Sequence, residues 1–255
     1  MNIISIIPAR MGSSRFPGKP MADILGMPMI GHVYKRVKMS KLLNEVYVAT
    51  CDEVIYDYIE SIGGKAIMTS DCHERCSDRC AEAMLKIEQE EDRKVDIMVM
   101  VQGDEPMTFP EMIDEAVQPM LDDKEIIITN LVADLETVTE FNDPNEVKVV
   151  MDKKNNALYF SREAIPSRKK GILDVPMKKQ VCVIPFTRDF LLEYNEMEPT
   201  PLEIIESVDM MRILENGMKV KMVDTAYFTK AVDTEEDLQR VVKLMNNDVL
   251  LSKYN

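Results

Sequence analysis

Asn2-Ile3-Ile4-Ser5-Ile6-Ile7-Pro8-Ala9-Arg10-Met11-Gly12-Ser13-Ser14-Arg15-Phe16-Pro17-Gly18-Lys19-Pro20 joins an apolar run to a basic, glycine-containing loop. Four isoleucines in the first half suit a strand covered on both faces, because β-branched side chains pack well on a pleated surface. The second half carries two glycines, two serines and the cations Arg10, Arg15 and Lys19. Glycine lets backbone amides approach phosphate oxygens, arginine offers planar donors, and lysine supplies a point charge for a leaving pyrophosphate. In chemical terms this is a triphosphate cradle. Its spacing is not that of a Walker A loop, which argues against an ordinary P-loop NTPase. A solvated basic turn is the competing reading of the same residues.

Outward from this stretch, Ile- and Val-rich runs alternate with segments of helical period. The pattern predicts strands at 2–7, 45–49, 65–68, 96–102 and 126–132, and helices at 29–39, 53–62, 77–91 and 110–121. That alternation is the signature of a mostly parallel sheet covered by helices. From 141 to 186 it gives way to short strand-like pieces at 147–151, 157–160 and 181–186. Helices at 199–215 and 234–246 then bracket a last strand at 219–223, with Gly217 where a helix C-cap belongs.

Composition narrows the function classes. Of 255 residues, 45% are hydrophobic and 30% charged, ordinary values for a globular protein, and no apolar run approaches the length of a membrane span. The start of the chain enters a strand directly, without an export signal, so a cytoplasmic location is expected. Five cysteines fit free thiols in a reducing compartment. A net charge of −14 argues against nucleic acid or an anionic membrane as partner. Residues 1–22 nevertheless carry +3 and no acid, which points to a local anion site. The 21 methionines fall mostly in apolar segments and read as core filling.

The loop through Lys19, together with Val101-Gln102-Gly103-Asp104-Glu105-Pro106, closely resembles the 3-deoxy-manno-octulosonate (Kdo) cytidylyltransferases, and more distantly the acylneuraminate cytidylyltransferases. Blocks at 141–150, 157–166, 199–214 and 232–238 extend the likeness over almost the whole chain. The resemblance implies one α/β domain over 1–255 with a Rossmann-like nucleotidyltransferase fold. It would comprise a nucleotide-binding core at 1–135, a smaller α+β acceptor and dimerisation sub-domain at 141–215, and a return to the core at 219–255. The activity implied is transfer of CMP from CTP to an acidic acceptor with loss of pyrophosphate, in surface-polysaccharide biosynthesis, by a homodimer.

The resemblance also assigns roles. Asp104 and Asp233 would bind Mg²⁺ with phosphate oxygens and water, a set that suits a hard cation. Lys19, Arg10, Asp104 and Asp233 would be catalytic. Pro8, Ala9, Arg10, Ser13, Arg15, Lys19, Ser77, Arg79 and Gln102 would line the nucleotide side, and Gln102, Arg162, Gln180, Glu206 and Asp209 the acceptor side. Deprotonation of the acceptor would fall to metal coordination. Plainer readings compete: Asp233 before Thr234 also suits a helix cap, Arg79 a surface cation, Gln102 a strand-end hydrogen bond, and Arg212 a helix-surface ion pair. His32 and His73 stand in no triad-like setting, so nucleophilic catalysis is disfavoured.

Departures from the family pattern fall near the nucleotide or acceptor at 73–79 and on the acceptor side at Gln180 and Met210. Where the family has His-x-Ser-Gly-Thr-Asp/Glu-Arg, this chain has His73-Glu74-Arg75-Cys76-Ser77-Asp78-Arg79, which brings in a new cation suited to an additional acidic group or an altered base preference. Gln180 stands for a histidine and Met210 for a glutamine. The acceptor thus stays open among Kdo, a related ulosonic acid and a phosphonate. A CTP sensor without turnover is the reading from another class, and the intact Lys19, Asp104 and Asp233 speak against it. Cys72, Cys76 and Cys80 recur every four residues. Packing is the first reading and a metal site the second.

Overall fold

The computed structural model describes residues 1–12 and 15–254. In chain order the first half comprises β1 (Ile3–Pro8), a small hairpin of β2 (Asp23–Ile24) and β3 (Met27–Pro28), α1 (Met29–Val37), β4 (Glu45–Thr50), α2 (Glu53–Ser61), β5 (Ala66–Met68), α3 (Cys76–Glu91), β6 (Ile97–Val101) and α4 (Pro110–Asp122). The second half adds β7 (Thr129–Asp134), α5 (Val138–Phe141), β8 (Lys148–Met151), β9 (Ala157–Ser161), β10 (Lys178–Val181), β11 (Val183–Thr187), α6 (Arg188–Glu196), α7 (Pro201–Glu206), α8 (Met210–Glu215), β12 (Lys221–Asp224) and α9 (Glu235–Met245).

One sheet runs β11-β6-β1-β4-β5, parallel except for β11, which is antiparallel to β6. Every residue of β1 is buried. Its side chains alternate between two apolar layers. Ile4 and Ile6 pack toward α3, α6 and α8, and Ile3 and Ile7 toward α1, α2 and α4. Burial on both faces is why the strand reads as a continuous apolar run. The methionines do enter these layers, Met84, Met98 and Met100 on one side and Met112 and Met120 on the other.

The strand order reverses about β1: β4 and β5 lie to one side, β6 and β11 to the other. Open α/β sheets bind ligands at such a switch point, outside the carboxyl ends of the strands. Here those ends deliver Pro8 to Arg10 and Gln102 to Asp104. Gly103 is what lets the two loops meet, since a Cβ there would lie 3.0 Å from the Pro8 carbonyl oxygen and 3.2 Å from Ile30.

A second sheet, β12-β7-β10-β8-β9, is mainly antiparallel. It corrects three sequence expectations. The strand expected at 126–132 joins this sheet rather than the parallel one, and β12 pairs with it, so the chain returns to the second sheet before α9 packs back near β2. The expected strand at 181–186 is two strands, with Cys182 at the break. β10 belongs to the second sheet and β11 to the first, and an Ile128–Phe186 bridge stitches the sheets together. The expected helix at 199–215 is interrupted at Ser207, which adopts a left-handed φ of 52°. Apolar periodicity cannot say which sheet a buried strand joins. Gly217, at φ 74°, ends α8 as expected.

Candidate active site

Phosphate-loop geometry starts with Gly18. Its left-handed φ of 76° and its N–H donation to the Met11 carbonyl at 3.0 Å close the loop and start the short 3₁₀ turn that carries Lys19. Lys19 Nζ lies 2.7 Å from Asp104 Oδ2 and 3.5 Å from Asp233 Oδ1. Arg15 donates to Asp233 Oδ1 and to Asn145 Oδ1, both at 2.8 Å. Asp104 comes from the loop after β6 and Asp233 from the turn before α9. The Val232 N–H joins those two segments by donating to the Asp104 carbonyl at 2.9 Å. Thr234, not Asp233, caps α9 by accepting from the Asp237 N–H, which leaves the Asp233 carboxylate free of capping. Asp104 Oδ1 is buried and has no hydrogen-bond partner.

Two cavities adjoin at this cluster. One of about 240 Å³ is lined by the phosphate loop, including Pro8, Ala9, Arg10, Gly12, Arg15 and Lys19, together with Gln102 and Gly103. The other, of about 290 Å³, opens toward the second sheet, where Arg75, Arg162, Gln180, Cys182, Asp209 and Met210 line it. Arg15, Cys76, Gln102, Asp104 and Asp233 border both.

Loop 143–146 connects the second sheet to the phosphate loop. The fully buried Lys148 shapes it by donating to the carbonyls of Asp143, Glu146 and Arg162 at 2.7, 2.6 and 2.5 Å. Its burial lowers the ammonium pKa. Arg162 spends its guanidinium on the carbonyls of Pro144, Glu206 and Ser207. Among the described residues it has no carboxylate within ion-pair distance, so its charge is not locally neutralised. Glu105, next to Asp104, is pushed up to about 7 by burial, against the opposing effect of Lys179, and accepts from Thr229 Oγ1 at 2.7 Å.

Several sequence-named residues lie outside both cavities. Glu206 accepts from Tyr159, Ser161 and the Arg162 N–H at the end of β9, so its carboxylate organises that strand end. Arg212 is not on the surface: it makes a buried two-point pair with Glu203, each contact 2.7 Å, and lies over the Tyr194 ring. Arg79 is also buried, donating to Thr69 and Ser70, and both its Nη2 and the Ser77 hydroxyl keep unpartnered polar atoms. Ser13 lies outside the described residues. Cys72 is exposed and precedes α3, Cys76 opens that helix and Cys80 is buried, so the three do not form one stripe. Residues that motif reading passed over include Lys148, Asn145 and Cys182. A strand lysine flanked by valines was the available signal for the first.

Residues 4–220 match the family described as cytidylyltransferase. A 3-deoxy-manno-octulosonate cytidylyltransferase of Geobacter metallireducens is 41% identical, over 96% of this chain and 98% of its own length. One from Fusobacterium nucleatum is 40% identical over 97% of this chain and 98% of its own. Among solved structures, a CMP:2-keto-3-deoxy-manno-octonic acid synthetase complexed with CTP superposes with a TM-score of 0.88 at 36% identity, covering 96% of this chain and 99% of that one. A 4-diphosphocytidyl-2C-methyl-D-erythritol synthase of Anaerococcus prevotii shares the fold alone, at 14% identity and a TM-score of 0.62, over 96% of this chain and 99% of that one. With two adjoining cavities that share an arginine and two carboxylates, and with likeness running the length of the molecule, the chain belongs to the cytidylyltransferases, and among them to the 3-deoxy-manno-octulosonate cytidylyltransferase family.

Proposed function

We propose that this chain transfers CMP from CTP to Kdo and releases pyrophosphate. The observation that carries this reading is the meeting of a basic cavity and a more mixed one at Asp104 and Asp233, both of which Lys19 contacts from the first. CTP takes the first cavity, with Pro8, Ala9, Arg10 and Gln102 along it, while Ser77 and Arg79 stand on α3 behind Cys76, which lines it. Arg15 and Lys19 exchange their aspartate partners for phosphate oxygens, neutralising charge that builds on the phosphoryl group and the leaving pyrophosphate. The acceptor takes the second cavity, its carboxylate on the locally unneutralised Arg162, with Gln180 and Asp209 beside it. An acceptor hydroxyl gives its proton to solvent, and its oxygen forms a bond to the α-phosphorus as the bond from that phosphorus to the pyrophosphate oxygen breaks. Holding both reactants in one geometry is the main contribution, and no covalent enzyme intermediate is required.

Magnesium fits Asp104 and Asp233. The pair comprises two hard oxygen donors sharing one lysine, and the buried Asp104 Oδ1 has an unused lone pair. Asp104 and Asp233 would hold Mg²⁺, which would supply charge neutralisation at the phosphates and favour loss of the acceptor's hydroxyl proton. The remaining ligands would come from substrate and water, since no group of three or more His, Cys, Asp or Glu side chains is arranged for a metal among the described residues.

The reading extends to a cytoplasmic enzyme of surface-polysaccharide biosynthesis, which suits CTP as a substrate and five free thiols. No helix among the described residues is long and apolar enough to cross a membrane. It also extends to a homodimer, supported by the exposed Leu158, Ile204 and Ile205 on the sub-domain after residue 140. A sedimentation mass of one chain at micromolar concentration would remove that part.

Pyrophosphate release with Mg²⁺ tests the function. Turnover is expected with CTP and Kdo, and at least about 10²-fold less with ATP, GTP or UTP, because a site built around one base leaves buried polar groups unpaired with another. Release with CTP and only a phosphonate, or CTP binding without release, would replace this reading.

A further inference from the structure

Arg75 and Asp209 meet on the wall of the acceptor cavity from positions 134 residues apart, with Arg75 Nη1 donating to Asp209 Oδ1 at 2.8 Å. The other terminal nitrogen of Arg75 lies 3.7 Å from Glu203, too far for a hydrogen bond, so the guanidinium has donors to spare. Asp209 is similarly underused. Its side chain does not cap α8, and among the described residues its carboxylate has no hydrogen bond besides that from Arg75. The nearby cation Arg212 is held by two bonds to Glu203 and does not bond Asp209.

Side by side, a fixed carboxylate and a partly free guanidinium present acceptors and donors a few ångströms apart. A hydroxyl satisfies both, since it donates to the first and accepts from the second. A second anion on the ligand would be repelled by Asp209 and by Glu74 on the same wall. The new cation noted in the sequence is therefore neutralised within the protein and is not held open for an extra acidic group.

Resting on the Kdo reading, we propose that Arg75 is a positioning residue of the acceptor site. It holds Asp209 as a fixed hydroxyl acceptor and so makes this end of the cavity a subsite for the neutral, polyhydroxylated end of the sugar acid. Burial supplies the physical need. It raises the Asp209 carboxyl above the usual range, Arg75 is the largest opposing influence, Glu203 and Asp78 raise it further, and Arg212 lowers it. With Arg75 removed, the carboxyl takes up a proton at higher pH and becomes a poorer acceptor for a hydroxyl.

Kinetics of wild type, Arg75→Ala, Arg75→Lys and Asp209→Asn with CTP, Kdo and Mg²⁺ from the lowest pH at which the fold holds up to pH 9 test this. Arg75→Ala is expected to raise KM for Kdo about tenfold at the acid end of the range, the scale of a hydrogen bond to a charged group, with kcat and the KM for CTP little changed. The KM penalty should shrink as pH rises and the carboxyl ionises again. Arg75→Lys should recover most of the loss, and the Asp209→Asn penalty should be independent of pH. An unchanged KM in Arg75→Ala, or a penalty flat with pH, overturns the proposal. If wild type does not turn over Kdo, the functional reading fails instead. The proposal then stands or falls on carbon-13 NMR of aspartate carboxyls, with the Asp209 signal identified by its loss in Asp209→Asn. Its midpoint must move upward in Arg75→Ala, and an unmoved midpoint overturns it.

Discussion

Asp104→Asn is expected to lower pyrophosphate release on the order of 10³-fold, while the melting temperature holds within a few degrees. The asparagine preserves shape and removes charge. Lys19 loses its 2.7 Å partner but keeps Asp233 at 3.5 Å, so no buried cation is left alone. The carboxylate also has a buried oxygen, Oδ1, without a partner, and the buried carboxyl of Glu105 stands beside it. A group so poorly satisfied in the folded chain adds little to stability, and active sites commonly trade stability for function in this way. Steady-state turnover with CTP, Kdo and Mg²⁺, alongside a thermal melt, separates the two effects. Activity within tenfold of wild type would remove Asp104 from the chemistry. A fall in melting temperature above about 10 °C would make it a structural ion-pair residue.

Asp248→Ala should act in the opposite sense, with a large loss of stability. Arg36 on α1 is fully buried, and its charge is paired with Asp248 from the segment after α9. The Tyr254 hydroxyl accepts from Arg36 Nε at 3.0 Å, while Arg36 Nη1 is unpartnered. Removing the carboxylate strands a buried guanidinium, which costs about 3–5 kcal/mol. For a chain of this size that corresponds to roughly 10 °C in melting temperature. Replacing both partners by apolar residues, Arg36→Met with Asp248→Leu, should recover most of the loss because neither charge then needs solvation. A drop below about 2 °C in the single variant would show that Arg36 finds another partner.

The same cluster explains one of the two histidines. His32 Nε2 faces the Ile24 carbonyl at 2.7 Å, so that nitrogen carries the proton, and Nδ1, 2.9 Å from the Tyr254 hydroxyl, accepts. Burial first, and then Arg36 and Lys35, lower its pKa and favour this neutral form. The network fastens α1, which follows the phosphate loop, to the segment that follows α9, at whose start Asp233 stands.

Much of the site was legible because its signals are local. Gly18 can adopt its left-handed φ only cheaply as glycine, and Gly103 marks where two loops approach within contact of a missing Cβ. A cation-rich turn after an isoleucine strand states its chemistry within about a dozen residues. The settings of Glu206 and Arg212 were not legible, for the converse reason. A charged residue on a helix presents the same sequence pattern whether it faces a ligand, solvent or a buried partner such as Glu203.

From sequence alone came the β1 strand, the basic glycine-containing loop after it and the alternation that makes a parallel sheet, whereas the pairing of Asp104 with Asp233 came from the family resemblance. Each of the local features rests on backbone preference, side-chain period or donor chemistry within a short window. Only the tertiary structure decided that 181–186 divides between two sheets at Cys182, that β7 joins the second sheet, and that Arg75 meets Asp209 across 134 residues. Those outcomes depend on which distant segments exclude water from one another. Burial of that kind sets both the partner and the protonation of a charged group, and no local pattern contains it.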